Sequence, residues 1–431
     1  MKILATSSTY IPEKLKAPFG FKGGFLSELW QVVCRVESES HYGVGIGVQS
    51  VLWSDAAVFT TNSEEMGNVY MYDVTMYALK LLEGREGETP IELIDGIYEE
   101  TLRYAKGRTN VKENLRETFV RNALVSVDNA LWQLYAKEKG TQDIMALIPK
   151  EFKAPLCEKH DKLCNIPLVS YGVKEADIRK LLDDGTILMK IKIGFDDNGK
   201  MSKAEMLEWD KKRLEQIHGI AKSYSSDYTE SGKILYYLDA NGKYDGVERL
   251  AELLDYAREI GALENIVLLE EPFEENNKVF VGDLPIRIAA DESVHSLKDV
   301  EARIALGYKA IALKPIAKTL SETLKILKKA YESDVLCFCA DLTVNPLLVE
   351  WNKNIAARIG RLPEMKIGIL ESNGGQNYRS WEALFNAHPF GNKTFARCQD
   401  GLYVLDEEFF ATSGGIFLPS SYYDALTEKE E

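Results

Sequence analysis

From residue 166 onward, the sequence consists of short apolar runs separated by helical or loop segments. The eight runs are Ile166–Tyr171, Ile187–Ile193, Ile234–Leu238, Ile266–Leu269, Ile286–Ala290, Ala310–Leu313, Val335–Ala340 and Ile367–Leu370. Continuous apolar strands that alternate with helices indicate a parallel sheet covered by helices. Eight such units over roughly 200 residues favour a closed TIM-type (β/α) barrel over an open doubly wound sheet. A dinucleotide-binding fold would require GxGxxG after an early strand, and the sequence has none.

The N-terminal part of the chain has a different pattern. Leu26–Glu37 and Tyr42–Trp53 are rich in β-branched and aromatic residues, and the polar turn between them predicts a hairpin. From about Met66 to Glu138 the pattern becomes helical. One apolar face with spacings of three and four is formed by Ala123, Leu124, Val127, Ala130, Leu131 and Leu134. These features predict an α+β domain.

We therefore divide the chain into three segments. Residues 1–155 form the α+β domain, residues 156–380 form the barrel, and residues 381–431 return to the first domain. The 52 Lys and Arg residues against 67 Asp and Glu give a net charge of −15, which disfavours nucleic acid as a partner. The sequence has no apolar stretch of the roughly 20 residues needed to span a bilayer. Six cysteines without CxxC spacing are typical of the cytoplasm.

Charged residues follow the apolar runs, at the strand ends where barrels of this kind place their chemistry. Carboxylates end the third, fourth and fifth strands: Asp239, Glu270 with Glu271, and Asp291 with Glu292. A single acidic residue at such a place could cap the next helix. Three on neighbouring strands favour a hard divalent cation with oxygen ligands, most simply Mg²⁺, with Mn²⁺ as a substitute.

Lysines flank this acidic arc. Lys190 and Lys192 are two residues apart, so on a strand they point to the same side. Like charge nearby and a bound cation both lower a lysine pKa, which suits a general base. Lys314 follows the sixth strand, across the proposed metal. Opposed lysines could remove a proton from one face of a carbon and return it to the other.

The series of strand-end motifs resembles the enolase superfamily, in particular the muconate lactonizing enzyme type within the mandelate racemase group. The motifs are Lys190-Ile-Lys192, Asp239-Ala-Asn241, Glu270-Glu-Pro272, Ala290-Asp-Glu-Ser-Val294 and Ala312-Leu-Lys314. Val127–Trp132 is similar to the helix that closes the capping domain of that family. The resemblance covers nearly the whole chain and implies a barrel with an α+β capping domain.

The resemblance also implies residue roles. Asp239, Glu270 and Asp291 would be the Mg²⁺ ligands. Lys192 and Lys314 would be the acid/base pair, and Lys190 would lower the lysine pKa or contact the substrate carboxylate. The surrounding groups, which would orient ligands or meet substrate, are Asn241, Glu271, Glu292, Asp341 and Glu371. Within Ile11–Gly24, we expect Phe19, Phe21 and Lys22 to form a lid over the barrel.

Three departures from the family pattern restrict the chemistry. The residues Pro315–Thr319 lack the glycine pair common after the sixth-strand lysine. The eighth strand ends Glu371-Ser-Asn-Gly-Gly375, unlike the paired aspartates with which dipeptide epimerases hold a substrate ammonium. The five histidines are at 41, 160, 218, 295 and 388, so the seventh strand ends in Asp341 and not in a catalytic His. This disfavours the His–Asp chemistry of mandelate racemase and many acid-sugar dehydratases.

The resulting expectation is a metal-dependent enzyme that removes the proton α to a carboxylate through an enediolate, most simply a racemase, epimerase or cycloisomerase. A carbon–oxygen lyase (dehydratase) acting on a carboxylate or acid sugar is the alternative. A Schiff-base lysine aldolase would leave the three carboxylates unexplained. A non-enzymatic barrel would be expected to have lost a ligand or a base, whereas all five positions are filled here. We expect a small carboxylate as substrate, no nucleic acid or membrane partner, and a homo-oligomer.

Overall fold

The computed structural model describes residues 1–21, 24–197 and 199–428. Its strands are β1 Ala5–Phe21, β2 Gly24–Glu37, β3 Tyr42–Gln49, β4 Lys162–Ile166, β5 Leu168–Val169, β6 Leu188–Lys192, β7 Leu235–Asp239, β8 Ile266–Glu270, β9 Ile288–Ala290, β10 Ala310–Leu313, β11 Leu336–Cys339, β12 Gly368–Glu371 and β13 Leu402–Val404. Its α-helices are α1 Val51–Ser54, α2 Ala56–Thr60, α3 Glu64–Leu82, α4 Pro90–Arg108, α5 Glu117–Ala123, α6 Val125–Lys139, α7 Ile144–Leu147, α8 Glu175–Asp183, α9 Lys203–Ala221, α10 Val247–Glu259, α11 Leu297–Ala305, α12 Pro315–Lys318, α13 Leu320–Glu332, α14 Pro346–Ala356, α15 Gly374–Asn377, α16 Trp381–Leu384, α17 Glu407–Thr412 and α18 Ser421–Thr427.

The N-terminal strands form an antiparallel sheet in the order β1-β2-β3. The predicted hairpin is present, with β2 and β3 paired from Trp30 opposite Gln49 to Glu37 opposite Tyr42. The prediction of a strand as far as Trp53 is wrong at its end, because β3 stops at Gln49 and α1 begins at Val51. Trp53 therefore lies on a helix, where it faces the barrel.

Helix α6 packs directly on β3, and the glycines of that strand make the close approach possible. A Cβ at Gly43 would lie 2.1 Å from Ala130 O, and a Cβ at Gly45 would lie 2.1 Å from Ala130 N. Any side chain there would force the helix off the sheet. The alternating glycines of the YGVGIGV segment therefore fix the position of α6 and of the motif it carries.

That motif joins the N-terminal part of the chain to the barrel. Ser321 N donates to Asp128 Oδ2 at 3.1 Å, and Ser321 Oγ donates to Asp128 Oδ1 at 2.5 Å. Trp132 Nε1 donates to Ser321 Oγ at 3.1 Å. Asp128 and Trp132 are fully buried and Ser321 begins a barrel helix, so α6 is anchored to the first turn of α13.

The second sheet is the barrel. Its strands are hydrogen-bonded in the order β13-β4-β12-β11-β10-β9-β8-β7-β6-β5. The segments β4 and β5 are separated only by Pro167; β4 pairs with β12 and β5 pairs with β6, so together they close the sheet on itself. These pairings are parallel, as expected for a (β/α) barrel. The fold predicted from the apolar runs is confirmed, although the first strand begins at Lys162 and not at Ile166.

The C-terminal segment contacts both sheets. β13 pairs antiparallel with β4 at the barrel, and α18 then reaches the N-terminal sheet. Ser7 Oγ donates to Thr427 O at 3.2 Å, and Tyr42 OH donates to Asp424 Oδ2 at 3.4 Å. The C-terminal segment thus contacts the barrel first and the N-terminal sheet afterwards. In the described ranges, no helix is both long and apolar enough to cross a membrane.

Candidate active site

The candidate site lies where the parallel barrel strands end. In the register of the sheet, Lys192 is opposite Asp239 and Asp239 is opposite Glu270, so these three side chains share one layer. Asp291 directly follows β9 and Lys314 directly follows β10. The sheet therefore brings the predicted lysines and carboxylates together at one rim, because parallel strands present their carboxyl ends at the same edge.

Four of these residues, Lys192, Asp239, Asp291 and Lys314, line a cavity of about 510 Å³, a volume that includes open solvent at its mouth. Its barrel walls carry Leu168, Lys190, Lys192, Asp239, Asn241, Asp291, Glu292, Lys314, Asp341, Leu342, Thr343, Glu371 and Asn373. Its other wall comes from the N-terminal part of the chain, through Leu26, Leu29, Ser50 and Trp53. These last four residues are not among those predicted from the sequence. The pattern of β2 could have indicated the two leucines, but their approach to the barrel depends on contacts distant in sequence.

Three carboxylates form an acidic group in which one oxygen of each lies within 4.8 Å of one oxygen of the other two. They belong to Glu270, Asp291 and Glu292. All three side chains are buried. Both oxygens of Glu270 lack a well-directed hydrogen bond among the described residues, although Lys190 Nζ is 2.8 Å from Oε2. Burial raises the pKa of Glu270 to about 8, against the opposing effect of Lys190. A divalent cation such as Mg²⁺ fits this buried group of hard oxygen donors, because its charge would favour the ionised form of Glu270.

Asp239 lies beside this group but is held by lysines. Its Oδ2 is 2.6 Å from Lys192 Nζ and 3.0 Å from Lys190 Nζ, and its Oδ1 accepts a hydrogen bond of 3.0 Å from Asn241 N. Burial opposes ionisation of Asp239, but Lys190 and Lys192 bring its pKa well below the usual range. Asp239 is therefore an ionised carboxylate at the rim, as a metal ligand must be.

Asp291 is held by two lysines from the other side. Lys314 forms an ion pair with Asp291 Oδ2, and Lys318 Nζ donates to Asp291 O at 2.7 Å. Burial opposes ionisation of Asp291, but Lys314 and Lys318 bring its pKa well below the usual range. Sequence reasoning missed Lys318. Lys318 ends α12, four residues after Lys314, which caps the start of that helix. Because residues at this spacing share a helix face, the sequence could have indicated that both lysines reach the same site.

Nearby carboxylates raise the pKa of two of the cavity lysines. Burial lowers the pKa of Lys190, but Asp239, Glu270 and Glu371 raise it well above the ordinary value. Burial likewise lowers the pKa of Lys314, and Asp291 with Glu270 raises it overall. For Lys314, the effect of these carboxylates on the pKa exceeds that of the neighbouring Lys190.

The residues predicted to surround the ligands form short contacts with them. Asn241 Oδ1 accepts from Lys192 Nζ at 2.5 Å, and Asn241 Nδ2 donates to Glu292 Oε1 at 3.2 Å. Glu271 Oε2 accepts from Asp291 N at 2.8 Å and from Ser293 Oγ at 3.0 Å. Glu271 thus fixes the turn that presents Asp291. Asn241 and Glu271 have left-handed φ values of 43° and 40°, a strain that concentrates at functional sites.

Asp341 and Glu371 complete the rim at the seventh and eighth strands. Asp341 N donates to Glu371 Oε2 at 3.1 Å, and the same oxygen lies 3.3 Å from Lys190 Nζ. Asn373 N donates to Asp341 Oδ2 at 2.8 Å. Both residues line the cavity.

The predicted lid is placed only in part. The backbones of Phe19 and Phe21 belong to β1 and pair with Leu26 and Gly24 of β2, so this segment is a hairpin and not a loop. Lys22 lies outside the described residues. Nearby, Lys16 Nζ donates to Gly375 O at 2.6 Å, so the hairpin runs beside the end of the eighth barrel strand.

Neither a protein-family profile nor a curated protein matches the sequence. Solved structures match its fold. A member of the enolase superfamily from Listeria innocua is 18% identical, with a TM-score of 0.66 over 100% of this chain and 98% of that one. The chain has the fold of the enolase superfamily.

Two further structures have the same fold and a described activity. The N-succinyl Arg/Lys racemase from Bacillus cereus is 14% identical, with a TM-score of 0.66 over 99% of this chain and 98% of that one. The dipeptide epimerase from Cytophaga hutchinsonii, in complex with Mg and D-Ala-L-Val, is 19% identical, with a TM-score of 0.62 over 88% and 89% of the chains. At these identities the likeness concerns the fold, and the activity has to be argued from the cavity itself.

Proposed function

We propose that this chain is a Mg²⁺-dependent enzyme of the enolase superfamily that racemises or epimerises a small carboxylate by removing its α proton. The observation that carries the proposal is the arrangement of two buried lysines around one acidic group. Lys192 ends β6 and Lys314 follows β10, and these strands are four positions apart in the closed sheet. The lysines therefore reach the cavity from opposite sides.

The two lysines are also bound to different carboxylates. Lys192 Nζ contacts Asp239, and Lys314 Nζ contacts Asp291. Glu270 lies between these two strand ends, and neither of its oxygens has a hydrogen-bond partner in the described part of the chain. A substrate held beside Glu270 would present one face to each ammonium or amine, which is the geometry that inversion at a carbon requires.

We assign the cation to Asp239, Glu270 and Asp291, with Glu292 adjacent to the last two. When bound, Mg²⁺ would supply Lewis-acid stabilisation of the negative charge that develops on the substrate carboxylate. Lys192 Nζ would take the α proton from one face and Lys314 Nζ would return a proton to the other. Leu26, Leu29 and Trp53 would exclude water from the cavity, which strengthens electrostatic interactions within it.

Two features support isomerisation over the alternatives. A Schiff-base aldolase needs one lysine and no acidic group, whereas here three carboxylates meet within 4.8 Å. A dehydratase of the His–Asp type needs a histidine at the seventh strand, where this chain has Asp341. Cycloisomerisation uses the same first step and differs only in the fate of the carbanion. The isomerases among the structures with this fold favour racemisation or epimerisation.

The test is deuterium incorporation. The chain is incubated with a library of α-substituted carboxylates in D₂O containing Mg²⁺, and exchange at the α carbon is followed by mass spectrometry and NMR. We expect exchange with inversion for at least one chemical class, and its loss in the Lys192→Ala, Lys314→Ala double variant. Absence of Mg²⁺-dependent exchange across the library would contradict the proposal.

A further inference from the structure

Asp341 is a buried carboxylate of the cavity whose two oxygens have different surroundings. Its side chain is only 6% exposed, and Oδ2 accepts one hydrogen bond from Asn373 N. Oδ1 is buried and has no hydrogen-bond partner among residues 1–21, 24–197 and 199–428. A buried carboxylate oxygen without a donor carries an uncompensated desolvation cost. A ligand that offers a donor at this point would remove that cost.

The lysines of the cavity form their ion pairs with carboxylates other than Asp341. Lys190 contacts Asp239, Glu270 and Glu371. Lys192 contacts Asp239, and Lys314 contacts Asp291. Across the described ranges, none of the ion pairs within 4.0 Å involves Asp341. Burial and then the nearby Glu371 raise the pKa of Asp341 to about 7, although the backbone of Asn373 and Leu342 and the charge of Lys314 oppose this shift.

The backbone around Asp341 is held in a fixed, strained form. Thr343 has a φ of 58°, which is unfavourable for a β-branched residue. Tyr378 OH donates to Thr343 O at 2.7 Å, and Thr343 Oγ1 donates to Asn373 Oδ1 at 2.7 Å. Gln31 of β2 donates to Tyr378 OH at 3.0 Å. The position of Asp341 is therefore set in advance of ligand binding, as a recognition group requires.

The charge balance of the cavity indicates the sign of the ligand group. The buried cations around it are Lys190, Lys192, Lys314 and Lys318, and the buried carboxylates are Asp239, Glu270, Glu271, Asp291, Glu292, Asp341 and Glu371. The carboxylates outnumber the lysines, and a divalent cation would offset most of this excess. A carboxylate substrate would then add negative charge, which a positive group on the same substrate would offset.

We propose that Asp341 binds a protonated amine of the substrate, so that the substrate is a carboxylate that also carries an ammonium group. This inference rests on the proposed function, since it concerns the same cavity. It makes Asp341 a specificity-determining residue, with the ammonium donating to the unpartnered Oδ1.

The experiment compares ligands that differ only by an ammonium or a methyl group. One pair is L-alanyl-L-leucine and isobutyryl-L-leucine; the other is Nα-acetyl-L-lysine and N-acetyl-L-2-aminoheptanoate. Each is tested for α-deuterium exchange and, by calorimetry, for binding to the Mg²⁺-loaded chain. We expect the ammonium member of at least one pair to exchange and bind about tenfold or more better than its partner, since charged hydrogen bonds are among the stronger ones.

Asp341→Asn should remove this preference while leaving the methyl partner nearly unaffected. A purely structural role of Asp341 would lower both members of the pair equally, and that result would overturn the inference. The control is Asp334→Asn, which makes the same charge change at an exposed position just before β11. It should keep the preference.

The calorimetric arm separates this inference from the proposed function. If none of the four compounds exchanges, isomerisation of this substrate class is contradicted, and the binding data alone decide the role of Asp341. Ammonium members that bind no better than their methyl partners would overturn the inference, even where exchange is observed.

Discussion

Lys190 Nζ lies 2.8 Å from Glu270 Oε2, and both side chains are buried within the barrel. The same ammonium is 3.0 Å from Asp239 Oδ2 and 3.3 Å from Glu371 Oε2. One buried cation thus compensates three carboxylates, each of which would be costly to bury alone. We therefore assign Lys190 to the charge balance of the acidic group and reserve proton transfer for Lys192 and Lys314.

The first prediction concerns this charge. Lys190→Met should lower the free energy of unfolding by about 3–5 kcal/mol, because removing one partner leaves buried charges uncompensated. Addition of Mg²⁺ should restore part of that loss. The measurement is urea unfolding followed by circular dichroism, with and without the metal. Lys233→Met is the control, since its pair with Glu264 is exposed and should contribute at most about 1 kcal/mol.

The second prediction is metal dependence. EDTA should abolish α-deuterium exchange, and Mg²⁺ or Mn²⁺ should restore it. The metal should also raise the thermal unfolding midpoint, because it binds the native acidic group and not the unfolded chain. Both effects are measured on one sample before and after dialysis. Full exchange in a rigorously metal-free preparation would rule out the mechanism.

The third prediction separates ligands from supporting groups. Asp239→Asn, Glu270→Gln and Asp291→Asn should each weaken Mn²⁺ binding at least a hundredfold, as measured by titration calorimetry. Glu271→Gln should cost about tenfold, because Glu271 only orients the turn that carries Asp291.

Glu292 tests the assignment of the third ligand. Its carboxylate belongs to the same 4.8 Å group as Glu270 and Asp291, so it could take the ligand position that we assign to Asp291. If Asp291 is the ligand, Glu292→Gln should resemble Glu271→Gln. Loss of the metal in Glu292→Gln together with its retention in Asp291→Asn would exchange the two roles.

The barrel could be predicted from sequence because its strands are buried on both faces. Such strands are continuous apolar runs, and the residue that follows each run is fixed at the rim. That is why the amino-acid sequence alone suffices to place Asp239, Glu270, Asp291 and Lys314 together. A continuous apolar run can be recognised in the sequence without knowing which distant residues it contacts.

The remainder depends on contacts between distant segments. The end of β3 at Gln49 could not be predicted, since Val51–Trp53 is as apolar as the strand before it. Trp53 reaches the cavity only because α1 packs beside the barrel. The contact of Lys318 also depends on the fold, because α12 places its ammonium where it donates to Asp291 O. Sequence patterns give which face is apolar, but not which distant residue that face meets.

The fourth prediction is a pH dependence of stability. Burial raises the pKa of Asp128 from 3.8 to about 6, partly offset by hydrogen bonds from Ser321. The folded chain therefore keeps this proton up to about pH 6, whereas the unfolded chain loses it near 3.8. The stabilisation is complete below the lower value and is lost as the pH rises through the upper one. A shift of this size corresponds to about 3 kcal/mol.

The measurement is the difference in unfolding free energy between the wild type and Asp128→Asn from pH 4 to pH 7.5. An amide does not titrate, so the wild type should lose stability relative to the variant as the pH rises. The exposed substitution Asp334→Asn should show no such trend. A wild type that gains stability relative to Asp128→Asn over this range would contradict the direction argued for Asp128.

The last prediction is the division of work between the two lysines. Because Lys192 and Lys314 enter the cavity from strands four positions apart, each should serve one configuration of the α carbon. Lys192→Ala should stop exchange from one stereoisomer and leave exchange from the other, and Lys314→Ala should do the reverse. The measurement is the initial rate of α-deuterium exchange for each pure stereoisomer.

An elimination or cycloisomerisation would give a different result, since one lysine alone would then be the base. One variant would lose exchange with both stereoisomers, and the other would keep it at a reduced rate. The kinetic pattern therefore decides the fate of the carbanion without identifying the natural substrate. If both single variants retained exchange on the same face, neither lysine would be the base. Glu371, whose carboxylate lies 3.3 Å from Lys190 Nζ, would then be the next residue to replace.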